Sequence, residues 1–349
     1  MTSVPTTQTA ARSVLVLAVG GLLVLMALAP LTCVRAEALS SWEGATAYPT
    51  NIDDESCVAD SGYIYCVAGA PGGGVSATYA VYSASVSAGV VGTWKSTSSY
   101  PSRIVGQSCV AYSGYIYCVG GYNFPQYMNA VYFASLSGGF VGTWTISTNA
   151  YPINVKGPAC VAYSGYIYCV GGWNGTSTSA AYSASLSSGV IGPWKVSTAY
   201  PTGIYGQSCV AYLGYVYCVG GWSDLRTANV YSASISNGVI GAWSSTTLFP
   251  ADIYSQSCLA YSGYVYCVGG NTNAGISGAV YYASLSSGRV GIWTNTNEYP
   301  TNINSHSCAI DSDYIYCVGG SVTPGSFIDA VYSAQIVPSQ VTNHENGGS

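Results

Sequence analysis

The sequence predicts an all-β protein, namely a six-bladed β-propeller with four-stranded antiparallel blades. Three observations lead to this prediction: a unit of about 50 residues recurs six times, each unit contains a hairpin with two cysteines, and the two ends of the chain complement each other. The chain has 349 residues, of which 49% are hydrophobic and only 6% charged, so a large core can be buried.

Each of the six units is marked by two cysteines nine positions apart. In five units the second cysteine is followed by Val-Gly-Gly, whereas the first unit has Ala68-Gly69. A variable loop, an apolar segment such as 130–136 and a Gly-x-Trp motif complete the unit. The cysteine pairs are Cys57 and Cys66, Cys109 and Cys118, Cys160 and Cys169, Cys209 and Cys218, Cys258 and Cys267, and Cys308 and Cys317.

Between the cysteines of each pair, the sequence is typical of a tight β-hairpin. A two-residue turn at Ser113-Gly114 places Cys109 opposite Cys118, at a non-hydrogen-bonded position where side chains approach most closely. That proximity suits a disulfide, whereas a zinc site would require ligand pairs two to four residues apart. We therefore expect six disulfides, one in each unit.

The ends of the chain predict how the ring closes. The sixth unit ends after the segment 330–337 and has no Gly-x-Trp motif of its own, whereas Trp42 near the start lies 52 residues before Trp94, in phase with the other units. An N-terminal strand that carries Trp42 would therefore complete the last blade. Closure also removes the free sheet edges that promote aggregation.

The N-terminal segment resembles an export signal. An apolar run of 16 residues, 14–29, precedes Ala36-Glu37-Ala38, and this pattern predicts a signal peptide over 1–38 with cleavage after Ala38. The alternative is an uncleaved N-terminal membrane anchor, the one case in which the chain would contact a membrane. Export places the propeller, 39–337, outside the cell or at its surface, where disulfides persist. We expect the polar tail, 338–349, to be disordered.

The pattern Tyr-x-Tyr-x-Val-Gly-Gly, as in 115–121 with a cysteine before the valine, is followed by a tyrosine and then by a tryptophan such as Trp144. This pattern resembles Kelch repeats, and the resemblance extends over 39–337. It implies a β-propeller that binds other molecules, mostly proteins. The paired cysteines and the long spacing from Tyr132 to Trp144 depart from typical Kelch units, so the resemblance indicates a divergent, exported variant.

Two sets of residues are candidates for ligand binding. The loops that follow the second strand differ between units and contain aromatic and polar side chains, which suit either sugar rings or a protein hot spot. These loop residues are Tyr122, Phe124, Tyr127, Trp173, Trp222, Asp224 and Arg226. The alternative is that Trp173 and Trp222 only cover the sheet edge.

The second set of candidates lies two positions before each first cysteine and should surround one mouth of the central channel. Its members are Glu55, Gln107, Pro158, Gln207, Gln256 and His306. A solvated mouth without a ligand is the alternative there.

The composition also narrows the function. Eight basic residues and a net charge of −5 argue against nucleic acid as a partner. Two histidines supply no catalytic triad, and no motif indicates a metal or a cofactor. We therefore expect a non-catalytic binding or adhesion protein with a surface protein as partner. The alternatives are a carbohydrate-binding propeller and, less favoured, an extracellular hydrolase or oxidase. Asn174 lies in an Asn-x-Thr sequon and is a candidate for glycosylation. The scarcity of ionisable groups predicts a stability that changes little with pH.

Overall fold

The computed structural model describes residues 37–72 and 77–338, where strands and turns are the regular secondary structure. The apolar run 14–29 and nearly all of the polar tail lie outside these ranges, so the signal peptide, the membrane anchor and the disordered tail stay predictions. The first described strand begins at Glu37, two residues before the predicted mature start. No helix in the described part of the chain is long and apolar enough to span a membrane.

Six antiparallel sheets, the blades, follow one another along the chain and are numbered here by their cysteine pairs. The inner strands are Ser56–Asp60, Ser108–Tyr112, Ala159–Tyr163, Ser208–Tyr212, Ser257–Tyr261 and Ser307–Asp311. The second strands are Tyr63–Val67, Tyr115–Val119, Tyr166–Val170, Tyr215–Val219, Tyr264–Val268 and Tyr314–Val318. The third strands are Val81–Ser87, Val131–Ser137, Ala181–Ser187, Val230–Ser236, Val280–Ser286 and Val331–Pro338.

The outer strand of each blade consists of two short pieces that both pair with the third strand. In blades 1 to 5 these pieces are Val90–Val91 and Lys95–Ser96, Phe140–Val141 and Thr145–Ile146, Val190–Ile191 and Lys195–Val196, Val239–Ile240 and Ser244–Ser245, and Arg289–Val290 and Thr294–Asn295. The Gly-x-Trp motif forms the break. At Gly92 a side chain would overlap the Ser85 hydroxyl, which favours glycine at this point of the strand.

Four blades carry additional short strands in the loops between the second and third strands, and in blade 5 a further piece, Ile253–Tyr254, comes from the segment before the inner strand. They are Tyr122–Asn123 with Gln126–Tyr127, Trp222–Ser223 with Leu225–Arg226, Ile253–Tyr254 with Asn271–Thr272 and Gly275–Ile276, and Ser321–Thr323 with Ser326–Phe327. These small sheets hold the variable loops in fixed conformations on one face of the ring.

The cysteine hairpins have the predicted register. Cys109 lies opposite Cys118, and the turn residues Ser113 and Gly114 have φ values of 51° and 74°, as a type I′ turn requires. All six predicted disulfides form, and their Cα atoms are 4.0–4.1 Å apart. The six bridges indicate an oxidising environment such as the cell exterior.

The ring closes through the N-terminal strand, as the sequence predicts. Glu37–Leu39 and Glu43–Gly44 pair with the third strand of blade 6, with Leu39 opposite Ile336. The inner strands contact each other in order, and that of blade 6 contacts that of blade 1. The fold is therefore a closed ring of six blades.

Each tryptophan of the Gly-x-Trp motif, together with Trp42, joins its blade to the preceding one. Its indole N–H donates to a backbone carbonyl of that blade over 2.9–3.3 Å. Its ring lies edge-on to the aromatic residue of a Tyr-Pro or Phe-Pro pair, with centroids 4.9 Å apart. Trp42 makes both contacts, with Asn297 and Tyr299, so it is equivalent to the other five.

A second set of bonds joins the inner strands around the channel. The amide of a first cysteine donates to the serine hydroxyl of the preceding blade at five of the six seams, as from Cys109 to Ser56 over 3.0 Å. Blade 3 has Ala159 where the other blades have serine, so Cys209 of blade 4 has no such hydroxyl to bond. The seam between blades 3 and 4 is therefore the least strongly joined at the channel.

Ala159→Ser should strengthen that seam. The new hydroxyl would accept the Cys209 amide, and a hydrogen bond of this kind contributes about 0.5–1.5 kcal/mol. Chemical denaturation should show a gain of that size, and the converse change Ser257→Ala should cost a similar amount by removing the acceptor of the Cys308 amide. A loss at Ser257→Ala without a gain at Ala159→Ser would mean that the seam is too wide for the bond.

Candidate functional site

The segments that lead into the six inner strands meet around one mouth of the central channel. At the same position in each segment, the residue has a left-handed backbone, with φ between 51° and 65°. Five backbone hydrogen bonds of 2.6–3.1 Å link these residues from blade to blade. The members of this mouth ring are Asp54, Gly106, Gly157, Gly206, Ser255 and Ser305.

The residue after each member of the mouth ring is the one that the sequence predicts to surround the channel mouth. These residues do line a cavity of about 230 Å³ there, but Glu55, the three glutamines and His306 are buried. Each glutamine amide donates to a backbone carbonyl of the preceding blade: Gln107 to Val67, Gln207 to Val170 and Gln256 to Val219, over 2.6–2.8 Å. The amide N–H groups of the glutamines therefore fasten blades together, and ligand binding by these residues stays a prediction.

Glu55 and His306 occupy the same position but differ from glutamine in chemistry. Within the described residues, the ring nitrogens of His306 have no hydrogen-bond partner, and the Glu55 carboxyl group approaches the backbone amides of Glu55 and Ser307 without good hydrogen-bond geometry. Burial is the main cause of both pKa shifts: it raises the pKa of Glu55 well above its usual value and lowers the pKa of His306 to about 3. Burial therefore favours the uncharged form of both groups.

The residue before each member of the mouth ring differs in chemistry from blade to blade. These residues are Asp53, Val105, Lys156, Tyr205, Tyr254 and Asn304. Each pairs with the residue that follows the second strand's glycines: Ala70, Tyr122, Trp173, Trp222, Asn271 and Ser321. Aromatic side chains therefore gather over blades 2 to 5, whereas blades 6 and 1 present small or polar ones. The sequence reasoning selected Tyr122, Trp173 and Trp222 but missed the partners Lys156, Tyr205 and Tyr254.

These residues enclose a cavity of about 480 Å³ above the channel mouth, which we call the vestibule. Its walls are Tyr122, Tyr127, Lys156, Trp173, Tyr205 and Tyr254, and all six members of the mouth ring lie at its base. Cavities that bind small molecules commonly measure about 300–1,000 Å³ and combine apolar walls with a few polar groups. The vestibule has both properties.

The aromatic wall is held by contacts among its own members. The indole N–H of Trp173 donates to the Tyr127 hydroxyl over 3.0 Å, and the Tyr127 ring lies 5.0 Å from that of Tyr122. On its other side, Trp173 makes an edge contact with Tyr205 at 5.0 Å. The rings therefore keep a fixed arrangement, which lowers the entropic cost of binding.

One ion pair crosses the base of the vestibule. The Lys156 ammonium lies 2.7 Å from Oδ2 of Asp54, although the two residues are 102 positions apart. The lysine side chain passes over Gly106, where any side chain would overlap it. Asp54 is the main cause that raises the pKa of Lys156, so the Lys156 ammonium group stays charged near neutral pH.

The other predicted site residues surround the vestibule without lining it. Arg226 lies over the rings of Trp222 and Tyr254, at 5.3 Å from each, and its guanidinium donates to Asn271 over 3.0 Å. Trp222 thus packs behind Tyr254 and matches the covering role that the sequence left open, whereas Trp173 lines the cavity. Phe124, Asp224 and Asn174 are exposed at loop tips. Glycosylation of Asn174 stays a prediction.

Comparison with known proteins supports the architecture. No family profile matches the sequence, and no curated protein is significantly similar to it. The solved structure titled "Structure of YjhT" superposes with a TM-score of 0.69 over 82% of this chain and 95% of that one, at 14% identity. The chain is a β-propeller. An identity this low establishes the fold alone, so membership of the Kelch family stays a prediction.

Proposed function

We propose that this protein is a non-catalytic binding propeller of the cell exterior that recognises a glycan in the vestibule. The observation that carries the proposal is a preformed cavity of about 480 Å³ with five aromatic side chains and one balanced ion pair. Aromatic faces cover the apolar faces of sugar rings, and the ion pair supplies hydrogen-bond groups for hydroxyls. The disulfides support a location outside the cell.

A binding role fits the charged groups of the vestibule better than a catalytic one. Its two partners, Asp54 and Lys156, hold each other in an ion pair, which keeps the carboxylate from acting as a free base. His306 lies buried beneath the mouth ring, with its pKa lowered to about 3 by burial. None of these three side chains is therefore arranged for proton transfer at neutral pH.

A protein partner, which the sequence favours, is the second candidate. Phe124 and Leu225 are 79% and 74% exposed at loop tips of blades 2 and 4, on the face that carries the vestibule. Exposed apolar tips beside tryptophan, tyrosine and arginine resemble the composition of protein-binding hot spots. In that case the tips, rather than the cavity, would provide most of the affinity.

Trp173→Ala should lower the affinity for a glycan about tenfold or more, because it removes a wall of the vestibule. Trp222→Ala is the matched control, since Trp222 follows the same pair of glycines in blade 4 but lies outside the vestibule. A glycan array would identify a ligand, and calorimetry would measure its affinity for the native protein and both variants. Equal losses in the two variants would contradict a site in the vestibule.

The same proteins distinguish the second candidate. If the partner is a protein, arrays should show no glycan signal. Saturable capture of one surface protein should then weaken in Phe124→Ser and Leu225→Ser while surviving Trp173→Ala. That result would replace the glycan proposal with protein adhesion.

A further inference from the structure

We propose that Lys156 and Asp54 make the vestibule selective for an uncharged sugar that carries two adjacent hydroxyl groups. This inference rests on the proposed glycan-binding function and assigns the sugar class and the two residues that select it. It follows from the charge balance of the vestibule and from the arrangement of donors and acceptors at its base.

The ion pair leaves no net charge for an ionic ligand to neutralise. A uronic acid would bring a carboxylate towards Asp54, and an amino sugar would bring an ammonium group towards Lys156. In either case the ligand would have to separate two groups that lie 2.7 Å apart, or leave a charge partly buried without a partner. An uncharged sugar avoids both costs.

The pair also presents a donor and an acceptor side by side. An ammonium group has three hydrogens, of which the bond to Asp54 uses one, and a carboxylate accepts several hydrogen bonds. One hydroxyl of a vicinal diol can therefore donate to Asp54 while its neighbour accepts from Lys156. Hydrogen bonds to charged groups are stronger than those between neutral groups, so this contact favours a diol over a single hydroxyl.

The surrounding residues leave room for a sugar ring beside the pair. Next to Lys156, Gly157 forms part of the base, and a side chain there would meet no atom within 4 Å, so the space above it is open. Trp173 and Tyr205 stand on one side of this space, and Ser255 and Ser305 lie across the mouth ring. A ring that packs on the aromatic wall would thus present its hydroxyls to Lys156 and Asp54.

Calorimetry with free monosaccharides tests the selectivity of the native protein. The probes are glucose, galactose and mannose, with glucuronic acid, glucosamine and deoxy analogues of each sugar that lack one of two adjacent hydroxyls. We expect the charged sugars and the deoxy analogue of the bound sugar to bind at least about tenfold more weakly than the best neutral sugar. Equal binding of neutral and charged sugars would overturn the inference.

Two single substitutions give opposite expectations, which a folding defect cannot imitate. Asp54→Asn leaves the ammonium unpaired and should shift the preference towards glucuronic acid. Lys156→Gln leaves the carboxylate unpaired and should shift it towards glucosamine. Lys195→Gln, at an exposed position of an outer strand, should change nothing. Uniform weakening of all sugars in both variants would overturn the inference.

These outcomes separate this inference from the proposed function. If the native protein binds no sugar, the glycan proposal fails and the inference fails with it. If a sugar binds and is lost in Trp173→Ala, but its charge and its adjacent hydroxyls do not matter, the vestibule remains the site and only the role of the ion pair is wrong.

Discussion

Trp42→Ala should destabilise the protein as much as Trp94→Ala, by about 3–5 kcal/mol, the usual cost of truncating a buried tryptophan. The two residues are 9% and 8% exposed and make equivalent contacts with the preceding blade. Trp94 lies inside a continuous blade, whereas Trp42 belongs to the strand that closes the ring. Equal costs would therefore show that the closing strand is as firmly held as the others.

The contacts around Trp42 explain this expectation. The Leu39 amide donates to the Thr296 hydroxyl, and the Asn297 side-chain amide donates to the Leu39 carbonyl, so the N-terminal strand is bonded to blade 5 as well as to blade 6. Leu39 is 2% exposed, and its removal would open a cavity between these blades.

Denaturation of the disulfide-bonded protein in guanidinium chloride measures both costs, and Lys195→Gln serves as a surface control. A small cost for Trp42→Ala beside a large one for Trp94→Ala would contradict closure by the N-terminal strand.

As a second test, a chain that begins at Ala45 should lose its single cooperative unfolding transition. Both closing strand pieces are missing from it, so the third strand of blade 6 has a free edge.

Repetition explains why so much of the fold could be predicted. A two-residue turn fixes hairpin register, so the facing of Cys109 and Cys118 follows from the sequence between them. The phase of Trp42 relative to Trp94 likewise predicts which end of the chain completes blade 6. The break in the outer strand could not be predicted, because the sequence does not show the close approach of Gly92 to Ser85 in the neighbouring strand.

The site was harder to predict because the direction of a side chain depends on its local backbone. Counting back from the cysteines found the channel mouth, which Gln107 lines while its amide bonds across a seam, but it missed the position two residues earlier that lines the vestibule. The left-handed residue Gly106 turns the chain between these two positions. Repeated glutamine was a sign of a structural role, whereas the change from Lys156 to Tyr205 to Tyr254 marked the variable position that lines the vestibule.

The protein should be most stable near pH 4–5 and lose stability on both sides of that range. This expectation replaces the small pH dependence that the composition suggests, because the few ionisable groups include three with strongly shifted pKa values. Burial is the main cause of each shift: it raises the pKa of Glu55, raises that of Asp53 to about 8, and lowers that of His306 to about 3.

The sign of each contribution follows from proton binding. Between the unfolded and folded pKa values, the folded state holds more protons on Asp53 and Glu55 than the unfolded state. The contribution of Asp53 to stability is therefore lost as the pH rises from about 4 towards 8, and that of Glu55 is lost as the pH rises above the usual pKa of a glutamate. The folded state holds fewer protons on His306, so its contribution is lost as the pH falls from about 6.5 to 3. Where the pH range of the carboxyl groups overlaps that of His306, the stability lost by two carboxyl groups as the pH rises exceeds the stability gained by one imidazole. The maximum of stability therefore lies near the acidic end of the overlap.

The variants Glu55→Gln and His306→Gln test the loss of stability at high pH and at low pH separately. Both should fold, because glutamine already occupies this position in three blades. Thermal unfolding should be measured at a series of pH values. Glu55→Gln should raise the midpoint at pH 8, because it removes a carboxyl group whose burial costs about 1.4 kcal/mol for each unit by which its pKa is raised. At pH 4 the same substitution should change the midpoint little. His306→Gln should raise the midpoint below about pH 6.5, most strongly at the acidic end, and change it little at pH 8. The converse change Gln256→Glu should lower the midpoint at pH 8 by placing a carboxyl group in another seam. A midpoint in the native protein that rises steadily from pH 4 to pH 8 would contradict the buried, uncharged state of Glu55.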